Sequence, residues 1–138
     1  MIRLIVASMA VAVPATAQQA PVTFEFGKTL PVAPGQWSYS ASPGGGEARF
    51  GSHFSLRCER AARTMTLSRP GVPPTTLTIV TDMQTRVLPP NGRLSANDPI
   101  LDAMAFSRGR FLVTGGSAGV LALPSWPEAA RAIEDCRN

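Results

Sequence analysis

The chain has two cysteines, and each sits in a segment with a strict apolar period. Over Phe54–Glu59, Phe54, Leu56 and Cys58 alternate with Ser55, Arg57 and Glu59, which is the period of a strand with one buried face. Over Ser125–Arg137, Trp126, Ala129, Ala130, Ile133 and Cys136 fall on one helical face, with Arg131, Glu134, Asp135 and Arg137 elsewhere. Both sulfurs are therefore expected to point into the core. A Cys58–Cys136 disulfide would fasten the last helix onto the strand that carries Cys58. No other sequence feature narrows the architecture as much.

Such a bond requires an oxidising compartment, and the N-terminus has the layout of an export signal. Arg3 precedes an apolar run from Leu4 to Val13, and Ala15-Thr16-Ala17 reads as a small-residue cleavage site. The run is shorter than the ~20 residues that cross a bilayer, and no cysteine near it suggests a lipid anchor. Residues 1–17 are thus read as a signal peptide and 18–138 as one domain, periplasmic or secreted, of bacterial type. The rival for the cysteines, a reactive dithiol, lacks C-x-x-C spacing and a flanking histidine.

The remaining pattern is rich in strands. Val22, Phe24 and Phe26 alternate with Thr23 and Glu25. Trp37, Tyr39 and Ala41 follow the same period, and Ala48 and Phe50 resume it after a glycine-rich turn, Ser42–Gly46, read as flexible. Arg63–Ser68 pairs with Phe54–Glu59 as a hairpin through Arg60–Ala62. Thr75–Thr81 is β-branched, and Arg86–Leu88 is an edge candidate because Pro89 and Pro90 follow it. Asp98 and Pro99 start a helix over 98–107, with Ile100, Leu101, Met104 and Ala105 as its apolar stripe and Gly109 beyond its end. Arg110–Thr114 and Val120–Leu123 are apolar strand-length runs. Ser125 and Glu128 fit a capping box for the last helix, 125–137. The fold class is mostly β (α+β): an antiparallel sandwich or partly closed barrel with two helices, the C-terminal one tied by the disulfide.

Chemical motifs are few. Gly115-Gly116-Ser117-Ala118-Gly119 matches G-x-S-x-G, but a nucleophile elbow needs a helix after the serine and a histidine downstream. The following segment is strand-like, and His53, the only histidine, lies upstream, so Ser117 reads as a turn residue. His53 has no second catalytic group in a definable relation to it, and Lys28 has no S-x-x-K partner. Asp98 and Asp102 share a helix face, but Asp98 is the cap and an acidic first turn suits the helix dipole. One histidine, paired cysteines and scattered carboxylates make no metal or cofactor site. Trp37 and Tyr39 share a side of their strand and read as core rather than as a binding platform.

The formal charge of +4 includes Arg3, and Lys28 is the only lysine. Arg57, Arg60, Arg63 and Arg69 lie on or beside the central hairpin as a candidate anion-facing patch for an acidic envelope component or an envelope protein. The basic residues are not interleaved with stacking aromatics, which argues against nucleic acid.

The Leu56-Arg57-Cys58 strand, the strand pair built on it and the closing helix with Cys136 together resemble small exported proteobacterial proteins. These are the type VI secretion-associated VasI/TagO proteins and, more distantly, the invasion-associated locus B proteins. The likeness runs from Phe54 to Cys136 and implies an envelope accessory role without catalysis. The expectation is a non-enzymatic exported binding or accessory module. The alternative is a small periplasmic hydrolase or hydrolase inhibitor whose active residues are not evident.

Overall fold

A computed structural model describes residues 11–12, 21–70, 75–115 and 119–138. Most of the proposed signal peptide, Gln18–Ala20 and the centre of the G-x-S-x-G stretch, Ser117 included, lie outside the described residues.

Strict alternation produces the first sheet. Strands β1 (Trp37–Ser40), β2 (Glu47–Phe50), β3 (Phe54–Glu59) and β4 (Thr64–Ser68) form an antiparallel meander. A short strand, β7 (Arg93–Ser95), extends it in the order β1-β2-β3-β4-β7. The register aligns Trp37, Phe50 and Phe54 in one inward row and Tyr39, Ala48, Leu56 and Leu67 in the next. A third row holds Cys58, Met65 and Leu94. The other face is polar throughout.

Continuous apolar runs produce the second sheet. Strands β5 (Thr78–Val80), β6 (Thr85–Val87), β8 (Arg110–Thr114) and β9 (Leu121–Pro124) pair antiparallel in the order β6-β5-β8-β9. Phe111, Val113, Ile79 and Leu123 face the main core, while Val80, Leu112 and Ala122 face the opposite way into a smaller cluster with Val22, Phe24 and Leu30. Strands covered on both sides read as unbroken hydrophobic stretches for this reason. The two sheets stay separate and do not close into a barrel. Phe111 joins them, its ring 6.1 Å from Phe54 and 6.3 Å from Trp37. The Trp37 indole Nε1 also donates to the Pro124 carbonyl at 2.7 Å.

Helix α3 (Pro127–Arg137) lies on the inner face of the first sheet, and Cys136 bonds to Cys58, both residues being buried. Its buried stripe is Ala129, Ala132, Ile133 and Cys136. This corrects the expected stripe, because Trp126 is 48 % exposed and Ala130 only half-buried, while Ala132 joins the core. The capping box also fails: Trp126 is the N-cap without a side-chain bond, and Ser125 Oγ and Glu128 Oε2 have no hydrogen-bond partner among the described residues. Helix α2 (Pro99–Phe106) starts as expected, with Asp98 Oδ1 accepting from the Ile100 amide at 2.9 Å. Arg137 joins the two helices through a two-pronged contact to Asp102 at 2.8 and 3.1 Å, and its Nε donates to the Ala96 carbonyl.

Three further expectations need correction. Val22–Phe26 is not a strand. Thr23 Oγ1 accepts from the Phe26 amide and starts a one-turn helix, α1 (Phe24–Gly27), which covers the outer face of β8. Gly27 sits tight against Leu112, and the Arg110 guanidinium donates to the Gly27 and Leu30 carbonyls that follow. The Ser42–Gly46 turn is pinned, not flexible: the Cys58 and Arg60 amides donate to the Gly46 and Gly44 carbonyls at 2.8 and 2.9 Å. β7 has no counterpart in the sequence reading. Among the described residues no helix is long and apolar enough to cross a membrane.

Removing the cross-link, whose sulfurs are 78 residues apart in the chain, should cost about 4 kcal/mol through loop-closure entropy. Urea unfolding of the native protein against the Cys58→Ala/Cys136→Ala variant reads this directly. Since Ser125 caps nothing, Ser125→Ala should change stability by less than about 0.5 kcal/mol, whereas Asp98→Ala should cost about 1–2 kcal/mol; thermal melts of the two variants test the contrast.

Candidate functional site

The outward side chains of the first sheet form three cross-strand rows: Ser38, Arg49, Ser55 and Ser68; then Ser40, Glu47, Arg57, Thr66 and Arg93; then Glu59, Thr64 and Ser95. No described element covers this face. Strand alternation dictates its chemistry: every residue with an inward neighbour at i±1 must be polar, and hydroxyls and charges fill the positions. The Ser55 and Ser68 hydroxyls bond each other at 2.8 Å across β3 and β4.

Two concavities share this surface. A cleft of about 540 Å³ lies between the Ser42–Gly46 turn and the Arg60–Ala62 turn and includes Ser40, Ser42, Glu47, Arg57, Glu59 and Arg60. A shallower trough of about 440 Å³ continues over β2–β4 and shares Glu47, Arg57 and Glu59 with it. Main chain forms the back of the cleft. Gly45, at φ +143°, lies so close to the Cys58 carbonyl that any Cβ would collide with it.

The charges on this face are partly neutralised. Glu47 pairs with Arg49 at 3.0 Å, and Glu59 pairs with Arg93 at 2.9 Å. Arg57 and Arg60 are exposed and make no ion pair among the described residues. With Arg49 and Arg93 on Glu47 and Glu59, the four arginines of this face outnumber its two glutamates, a local positive excess to which Arg57 and Arg60 contribute.

Of the four arginines in the expected patch, the structure brings Arg57 and Arg60 together. Arg63 is in the turn beyond, with a left-handed backbone at φ +49°. Arg69 is at the far end, where Nη1 donates to the Gly119 carbonyl at 2.8 Å and burial pushes the guanidinium pKa down. Arg49 and Arg93 were not anticipated as part of this face. Arg49 was legible, since it alternates with buried Ala48 and Phe50; Arg93 was not, because its strand was unrecognised.

The other candidates have structural roles. His53 is half-buried in the β2–β3 turn with its ring 6.3 Å from Phe50, and lines neither concavity. Asp98 caps α2 and pairs with Arg86 at 3.0 Å, Asp102 binds Arg137, and Lys28 pairs with Glu25. Trp37 is buried in the core. Tyr39 lies at the core margin, where its hydroxyl donates to Asp135 and the Arg131 guanidinium stacks 4.3 Å above its ring.

In comparison with known proteins, no family model, curated protein or solved structure matches the chain.

The hydrogen bond to Asp135 holds the Tyr39 phenol protonated and raises its pKa above the ordinary value of 10.0, helped by burial and the Asp135 charge and opposed by Arg131 and Arg60. Stability from this contact is complete below the unfolded pKa of tyrosine and is lost as pH rises through the higher folded one. The stability difference between native protein and Tyr39→Phe should thus be flat to about pH 10 and shrink above it; denaturant midpoints measured for both from pH 8 to 11.5 give the comparison.

Proposed function

We propose that this chain is an exported, non-catalytic binding module of a bacterial cell envelope that engages its partner through the open polar face of the five-stranded sheet. The observation that carries the reading is the charge arrangement on that face: Glu47 and Glu59 are held by Arg49 and Arg93, and Arg57 and Arg60 remain available. A buried disulfide suits a compartment that keeps thiols oxidised, in agreement with the signal-like N-terminus. The layout from Phe54 to Cys136 resembles the VasI/TagO proteins, which supports an accessory role. Enzymatic use of the cleft is disfavoured because both of its carboxylates are in ion pairs and the one histidine is elsewhere.

In-cell crosslinking tests the surface. A photoreactive residue at position 66, in the middle of the face, should capture an envelope component, and one at exposed position 87 on β6 should not. Equal capture from both positions, or capture from position 87 alone, would reject this face as the binding surface.

A further inference from the structure

We propose that the cleft beside Arg57 and Arg60 takes an acidic sugar unit of an envelope polysaccharide, that is, a single negative charge carried among hydroxyl groups. The proposal deepens the reading of this face as the binding surface and rests on it.

Size and shape come first. About 540 Å³ lies within the ~300–1,000 Å³ typical of sites for small organic groups. The cleft is open along the sheet, where the trough over β2–β4 continues it, so a chain can run through instead of ending inside. The Cys58–Gly46 and Arg60–Gly44 hydrogen bonds hold the backbone of its two turns together, so the backbone needs no rearrangement to present the site.

Charge narrows the chemistry. A guanidinium presents a planar fork that matches the paired oxygens of a carboxylate or a phosphodiester, and Arg57 and Arg60 offer two such forks without ion-pair partners among the described residues. Glu47 and Glu59 line the same cleft. Although paired, they oppose the approach of a dianion, so the site favours a monoanion. The same carboxylates accept hydrogen bonds from ligand hydroxyls. Ser40 is a further polar contact, and Ser42, whose hydroxyl donates to the Gly45 carbonyl, keeps its oxygen as an acceptor.

The residue types on the face decide against the rivals. It carries no aromatic platform for stacking a nucleic-acid base, and none of the large apolar anchors that dominate protein–protein interfaces. Hydroxyls and charges suit a ligand made of hydroxyls and charges.

Calorimetric titration with three probes tests this: a trimer of galacturonic acid, its fully methyl-esterified form, and an oligosaccharide whose sugar units are joined by phosphodiesters. At least one acidic probe should bind and the neutral ester should not. Preference between the acidic probes tells a uronic acid from a phosphodiester-linked glycan. Arg57→Gln and Arg60→Gln should each weaken binding about tenfold with unchanged melting temperature, and Arg108→Gln, on a distant exposed cation, should have no effect. Binding of the ester as tight as the acid, indifference to Arg57→Gln and Arg60→Gln, or an equal loss in Arg108→Gln would each overturn the proposal. If no acidic probe binds while crosslinking at position 66 still captures a component, the ligand class is wrong and the surface stands. If both fail, the surface falls too.

Discussion

The Cys58–Cys136 bond fixes the orientation of the molecule. It ties the last turn of α3 to the third inward row of the first sheet, so the helix must lie on that face and no other. Ala129 and Ala132 then face the sheet with almost no side chain, and the helix backbone packs close against β1–β3. The phenylalanines and Trp37 reach past the helix to the second sheet. With its inner face closed in this way and no described element on the outer one, the first sheet keeps one wet surface. The second sheet is covered twice, by the main core and by the segment around α1. One covalent constraint therefore separates a sheet covered on both faces from one with an uncovered polar face.

How much of this could be read in advance depends on how local each signal is. The first-sheet strands alternate because one face is wet, so their residues announce both strand and orientation. The runs in β5, β8 and β9 announce strands without saying what covers them, since a doubly buried strand has no polar side to mark. Val22–Phe26 alternates over only three apolar residues, and the same letters serve as a threonine-capped helical turn once Gly27 must fit against Leu112. β7 contains a single apolar residue, Leu94, and its pairing is decided by β4. Ser125 and Glu128 have the letters of a capping box, but the helix begins at Pro127, which makes Trp126 the cap.

The site shows the same division. Arg57 could be placed outward from its own strand. Its company could not, because which residues share its row depends on cross-strand register, a long-range property that no window of sequence contains. Arg49 and Arg93 hold the two carboxylates on either side, and among the described residues this leaves Arg57, like Arg60, without an ion pair. Arg63 and Arg69 are close to it in sequence, yet the hairpin carries them to opposite ends.

The missing side chain at Gly45 has a consequence for how such a surface can change over evolutionary time. A side chain at position 45 would collide with the Cys58 carbonyl, whereas the exposed polar residues around the cleft carry no such backbone constraint. The exposed polar positions around it are free to vary in sequence, as long as the glycine stays.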